Sequence, residues 1–325
     1  DTIVLADFTN KTGDPVFDGT LRQGMAVQPE QSPFLSLVSE ERIQQVLRLM
    51  GQPADARLTP EVAREICERT GSSAVLDGSI ASLGSQYVLG LLAKNCRTGN
   101  VLAEEQVQAT RKEDVLNALG QMASKFRTRV GESLTTVAAH NTTLAEATTP
   151  SIEALKAYSA GFEVFSASGP NAAMPFVKHA IELDPKFASA YAVLGRFYGE
   201  IGESVLSAEN TSKAYELRDR ASDNEKFFIS ASYDTQVTGN LQKAEQTCEL
   251  WSRADPRAKD PRLFLSGLIY SPFGEYEKSV EEAKIAIGLD PDFGVGYSIL
   301  ASSYVALGRV DEAENTIQKA FEHKL

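Results

Sequence analysis

At 325 residues, with 42% apolar and 23% charged residues, the chain is long enough for two domains with cores of their own and has an ordinary globular composition. The formal charge is −12 and both halves are acidic, with 14 basic against 18 acidic residues in 1–150 and 18 against 26 in 151–325. No Lys/Arg run offers the clustered cations that neutralise phosphates, so no nucleic-acid partner is expected; a basic partner surface is the favoured one.

No apolar run approaches the roughly 18 residues of a membrane span, so no direct membrane insertion by this segment is expected. The chain opens on Asp1 without a leader pattern, as a piece of a longer protein would. Its three cysteines, Cys67, Cys96 and Cys248, are odd in number, widely spaced and free of any CxxC pair. That disfavours both a disulfide framework and a zinc site, and leaves open a single Cys67–Cys96 bridge. Cys248, beside Trp251 in a helical pattern, reads as a small core residue.

Thr2 to Phe8 alternates and is β-branched, predicting a buried strand. Asn10 to Asp14 is a turn cluster, and a helix is expected from Asp18 to about Gln28. Phe34 to Val38 reads as a second strand, after which Ser39 caps a helix running to Met50. Thr59 is an N-cap with Pro60 at the first helical position, opening a helix that ends at Gly71. Three strands follow as a meander: Ala74 to Leu83, Tyr87 to Cys96 and Val101 to Thr110. Gly84-Ser85 and Thr98-Gly99-Asn100 supply their turns. Thr110 and Glu113 have capping-box spacing, and Leu116, Leu119, Met122, Phe126, Val130 and Leu134 make one helical stripe. The order is that of a mixed-sheet α/β sandwich.

Over about residues 2–135 the chain resembles the N-terminal-type domain of TolB and related domains of bacterial signalling proteins. The resemblance is carried by Asp7-Phe8-Thr9-Asn10, Thr12-Gly13-Asp14, Phe17-Asp18-Gly19-Thr20-Leu21, Ala74-Val75-Leu76-Asp77-Gly78-Ser79-Ile80 and Arg97-Thr98-Gly99. The domain is therefore set at residues 1–136. Residues 137–149, rich in Thr and Ala, read as a linker, and Thr149-Pro150 precedes the next helix.

Residues 150–325 repeat. Gly161 and Gly195, Tyr270 and Tyr304, Gly274 and Gly308, and Ala286 and Ala320 are each 34 residues apart. Leu183-Asp184-Pro185 with Phe187 recurs as Leu289-Asp290-Pro291 with Phe293. The period and residue types resemble the tetratricopeptide repeat (TPR), in five units beginning near Ala154, Ala188, Glu225, Asp260 and Gly294. Small residues at Gly195, Ala244, Gly267 and Ala313 let the two helices of a unit approach, and Pro185, Pro256 and Pro291 follow helix ends. The spacing slips between Gly202 and Asn224, so longer or offset helices are expected there. The pairing of the two regions resembles the part C-terminal to the kinase domain in some bacterial eukaryotic-type serine/threonine kinases. That resemblance implies an upstream membrane helix and an extracytoplasmic sensor.

No catalytic constellation is present: there is no HExxH, GxSxG, Walker A or HRD pattern, and His140, His179 and His323 are dispersed. Glu104 and Glu105 are adjacent on a strand, where they point to opposite faces. No enzyme, cofactor or metal is expected. Binding is. In tetratricopeptide units, positions two, five, nine and twelve of the first helix face a concave wall. They give Tyr158, Phe162 and Phe165 in unit one and Arg196 in unit two. Unit three gives Lys226, Ile229, Tyr233 and Gln236, and unit four Phe264 and Leu268. Aromatic and long polar side chains suit a peptide or protein partner. Ser298 and Ser302 stand where a carboxylate clamp of the chaperone-binding kind would need Lys or Asn. The competing reading packs Tyr158 and Phe162 between units or against the first domain. A small molecule has a candidate site at Asn10, Thr12 and Asp14, past the end of the first strand, where α/β sheets bind ligands; the competing reading is a self-contained turn. The leading expectation is a protein-interaction and sensing module, with a small-molecule receptor or a structural scaffold as the alternatives.

Overall fold

The structure, a computed structural model, describes residues 2–30, 32, 35–53, 55–139, 144, 148–323 and 325. Phe34, His140 and most of the expected linker at 137–149 lie outside them. By packing, the chain divides into two compact units, Asp1–Asp223 and Asn224–Leu325.

The first unit opens with a six-stranded sheet ordered β3-β1-β4-β5-β6: β1 (Thr2–Leu5), β3 (Ser36–Leu37), β4 (Ala74–Leu83), β5 (Gln86–Asn95) and β6 (Val101–Ala109), with β2 (Thr9–Lys11) also on β4. The pairs β1–β3, β1–β4 and β2–β4 are parallel, and the meander β4–β5–β6 is antiparallel. The strand expected from Thr2 to Phe8 is interrupted. Asp7 turns aside to bond Leu58, its N–H donating to the Leu58 carbonyl (2.9 Å) and its carboxylate accepting the Leu58 N–H (2.8 Å). Phe8 then lays its ring on Gly78, where any Cβ would collide with it.

Alternation along β1 serves two cores. Val4 and Ala6 face helices α2 (Glu40–Leu49) and α3 (Pro60–Thr70), with Ile43, Val46, Leu47 and Ile66. Ile3 and Leu5 face the side of α1 (Thr20–Glu30) and α4 (Val115–Arg129). Local signals act as expected: Ser39 and Thr59 cap α2 and α3, and Gly71 closes α3 in the left-handed conformation (φ 68°). The Thr110–Glu113 box does not form. A 3₁₀ turn, Lys112–Asp114, moves the N-cap to Arg111, which closes on Asp114 instead. Cys67 of α3 and Cys96 after β5 form a disulfide (Cα–Cα 5.9 Å), settling the pairing that spacing leaves open. At the end of α4, Arg127 and Glu132 form a fully buried ion pair (Nε to Oε2 2.9 Å), and Ser32 donates to the same oxygen (2.8 Å).

After a short helix, α5 (Leu134–Ala139), five antiparallel helical pairs follow among the described residues. The first two, α6 (Ile152–Ser168) with α7 (Pro170–Leu183) and α8 (Ala188–Glu200) with α9 (Ser204–Leu217), belong to the first unit. Gly24 shows why: a Cβ there would lie 3.1–3.4 Å from Leu119, Leu144 and Leu155. Helices α1, α4 and α6 thus meet at one glycine, and a single core runs from Ile3 to Tyr198. Gly161 and Gly195 admit Val177 and Thr211 of their partner helices. The irregularity expected between Gly202 and Asn224 is no more than a 3₁₀ turn, Arg218–Arg220, after a regular α9.

The second unit holds α10 (Asp223–Gln236, from Asn224 on) with α11 (Leu241–Ala254), a composite helix with α14 (Tyr276–Leu289), and α15 (Gly294–Ala306) with α16 (Val310–Glu322). The composite helix runs through α12 (Asp260–Leu263), a π-helical stretch Phe264–Tyr270 and α13 (Ser271–Phe273). Pro272 lacks the N–H that an α-helix would aim at the Leu268 carbonyl, and its ring crowds that oxygen. The wider winding instead gives the Ser266 carbonyl three donors: the Ser271 N–H, the Ser271 hydroxyl and the Ser279 hydroxyl of α14 (2.9 Å for each hydroxyl). The hydroxyls of Ser279 and Ser303 are 2.8 Å apart, extending the network to α15. Gly267, expected to admit its own partner helix, receives Ile299 of the next pair instead.

Loop carboxylates clasp the base of the pairs in both units. Asp184 accepts from Thr149 (2.6 Å), Asp255 from Asn224 (3.4 Å) and Asp290 from Lys259 (2.6 Å). Trp251 donates to Asn224 (3.1 Å). Cys248 is a core residue, as read, its thiol pushed up to about 12 by burial.

Candidate functional site

The four inner-wall positions recur in each pair, but their surroundings differ between units. In the first unit Tyr158 is buried, edge-on to Phe162 (5.0 Å between ring centroids) and tilted against Phe187 (4.7 Å). Phe165 stacks on Phe197 (4.8 Å), and the Arg196 guanidinium lies over both rings (5.1 and 5.5 Å). Arg196 Nε is 3.2 Å from Glu200 but at an angle that makes no hydrogen bond. Aromatic bulk at these positions closes on itself, so the expectation that Tyr158 is a docking residue is corrected. Phe162 is half-buried in the same cluster.

In the second unit Phe264 is likewise interior, edge-to-face with Phe228 (5.8 Å) and near Trp251, and offers no accessible face. Leu268, one turn on, is exposed. Lys226 and Tyr233 are half-buried, Ile229 is buried and Gln236 is exposed. In the fifth pair the same four positions are Val295, Ser298, Ser302 and Val305, and all four are exposed, Val295 at 52% and Val305 at 61%. These two valines are not among the residues expected from sequence, although the two-five-nine-twelve rule applied from Gly294 reaches them. An uncharged row of two valines and two serines suits apolar contact with hydrogen bonds, and offers no cation for a terminal carboxylate.

The first-domain candidate folds in on itself. Asn10 Oδ1 accepts from the Thr12 N–H (2.9 Å) and hydroxyl (2.7 Å), and Asn10 Nδ2 donates to the Asp14 carbonyl and to Asp18 (2.9 Å each). Thr12 accepts the Asp14 N–H (3.1 Å), and Asp14 accepts the Val16 N–H (2.9 Å) as an N-cap. Its other oxygen meets Lys112 (3.0 Å), which also reaches Glu153 at the start of α6 (3.1 Å). The Val16 N–H first, then Lys112, hold the Asp14 carboxyl below the usual carboxylate range. Every polar side-chain atom of the three residues is engaged within the turn and its neighbours, which is the self-contained reading.

A tetratricopeptide repeat family profile matches residues 296–322, within α15 and α16. Tetratricopeptide repeat protein 37 of Xenopus laevis is 28% identical over 145 residues, 44% of this chain and 9% of that protein. The chain thus spans under a tenth of that relative's length. Among solved structures, the crystal structure of MamA is 24% identical and covers 50% of this chain and 94% of its own, with a TM-score of 0.33. A thermophilic TPR protein of Thermus thermophilus is 22% identical over 52% of this chain and 91% of its own (TM-score 0.41). The LpoB C-terminal domain of Salmonella enterica is 15% identical over 34% and 82% (TM-score 0.32). The fold is a mixed-sheet α/β domain followed by helical pairs of tetratricopeptide type, a class of repeat that serves as a protein-interaction scaffold.

Proposed function

We propose that this chain is a non-catalytic interaction and sensing module that holds a peptide or protein on the inner row of its last helical pairs. The observation that carries the reading is the exposed row Val295, Ser298, Ser302 and Val305, with Leu268 on the preceding pair. The resemblance of residues 2–135 to the TolB N-terminal-type domain, ahead of tetratricopeptide units, supports placement as the sensor part of a membrane-anchored bacterial serine/threonine kinase. The Cys67–Cys96 bridge supports an extracytoplasmic address, since such bonds persist in oxidising compartments. No helix among the described residues is long and apolar enough to cross a membrane.

The test is capture of polypeptides by the full chain from extracts of its source, comparing wild type with Leu268→Asp plus Val305→Asp. Recovery of a bound polypeptide falling about tenfold is expected; equal recovery rules the row out.

A further inference from the structure

Helix α6 is fastened to the sheet domain differently along its length. Near its start Lys112 bridges Asp14 and Glu153 (3.0 and 3.1 Å), and Lys156 donates to the Pro15 carbonyl (2.6 Å). Two lysines there serve two carboxylates and a carbonyl, and the charges match. Two turns beyond Lys156, on the same face of the helix, Glu163 lies against the backbone at Gly19, just before α1. A Cβ at Gly19 would stand 3.3 Å from Glu163 Oε1, and Gly19 is in the left-handed conformation (φ 72°).

Around Glu163 the charges do not match. The cation acting on it is Arg22 of α1, already engaged with Glu40 at the start of α2 (2.6 Å), the Leu5 carbonyl (3.2 Å) and Asp7 (3.5 Å). Asp7 and Glu40 act on Glu163 as like charges, so three carboxylates share one guanidinium. The other charged groups nearby are held elsewhere: Asp18 by Asn10 (2.9 Å) and Lys156 on Pro15. Helix α7 meets α6 through the apolar Phe176 and Val177 at Gly161. Glu163 itself has no hydrogen-bond or ion-pair partner among the described residues. Partial burial first, then Asp7 and Glu40, with Arg22 opposing, push its carboxyl above the ordinary glutamate range.

We propose that this seam is an acid-tightened joint: a proton on Glu163 removes one of three negative charges set against Arg22 and seats the second half of α6 on α1. The folded joint holds that proton more tightly than the unfolded chain does. Its stability therefore rises as pH falls through the raised folded value toward the ordinary one of about 4.3, and is lost as pH climbs back. Asp14 sets the lower limit of this window, since its lowered carboxyl keeps Lys112 until pH falls below the ordinary carboxylate range. Within the window the start of α6 stays fastened while its second half tightens, and the link between the sheet domain and the first helical pair stiffens.

The test uses the full chain, labelled with carbon-13 at glutamate carboxyls, with Glu163 identified by the signal missing from Glu163→Gln. Its titration midpoint is expected above the ordinary glutamate value, and lower again in Glu40→Gln, which removes a like charge and releases an Arg22 donor. Amide exchange from Gly161 to Phe165 is compared between variants at matched pH, so that intrinsic rates cancel. At about pH 7.5 it is expected to be at least about threefold slower in Glu163→Gln than in wild type, the difference closing as pH falls to about 4.5. Glu163 and Glu40 are both exposed, and circular dichroism verifies that each variant keeps its fold. A Glu163 midpoint at or below the ordinary value, or one indifferent to Glu40→Gln, overturns the inference. So does exchange in Glu163→Gln as fast as in wild type at neutral pH, or a difference that does not vary with pH, which would assign the effect to shape.

Discussion

The first and fifth helical pairs use the same positions for opposite ends. Where the first pair carries Leu155, Tyr158, Phe162 and Phe165, the fifth carries Val295, Ser298, Ser302 and Val305. On the first row Tyr158 and Phe165 meet Phe187 and Phe197, and Tyr158 becomes interior; the short side chains of the fifth row stay at the surface. Repeat position therefore tells which way a side chain points, while its bulk and neighbours decide whether that direction is core or surface.

The sharpest way to break this contrast is a pair of alanine substitutions at the same repeat position. Tyr158→Ala is expected to destabilise the first unit by about 3–5 kcal/mol. Ser298→Ala is expected to stay within about 0.5 kcal/mol. Denaturant titration with matched slopes separates them, and a neutral Tyr158→Ala would return that ring to the surface. Next in size is the staple that only the first unit has. Cys67 and Cys96 are 29 residues apart, a loop whose closure constrains the unfolded chain by about 3.5 kcal/mol. Cys67→Ser plus Cys96→Ser should lower the denaturation midpoint of the oxidised protein accordingly, and a wild type that does not change on reduction would contradict it.

In the second unit, Ser279→Ala should destabilise by about 1 kcal/mol, since the Ser266 carbonyl keeps two other donors. Solvent exchange of the Ser271 amide should quicken with it; unaltered exchange would mean that winding alone maintains the π-stretch. The smallest effect is electrostatic and confined to the first unit. Asp14 is held below its unfolded value, so its contribution is full above the ordinary carboxylate range and is lost as pH falls from there through the lowered folded value. Asp14→Asn should lower the melting point at neutral pH, with the gap to wild type closing below about pH 4. A gap independent of pH would assign the role of Asp14 to geometry alone.

The chain itself determined what short-range stereochemistry can dictate. Ser39, Thr59-Pro60 and Gly71 mark helix ends because caps satisfy backbone groups within a few residues. The 34-residue spacing placed five helical pairs and their inner rows, because register along a helix is a local property. Tertiary structure alone decided the rest. That Cys67 meets Cys96, that α6 joins the sheet domain's core at Gly24, that Pro272 and Ser279 together favour π-winding, and that Val305 is open while Tyr158 is not, each depends on groups far apart in the chain. A residue type carries the same propensity wherever it stands; whether a neighbour arrives to cover it is settled only when the helices pack.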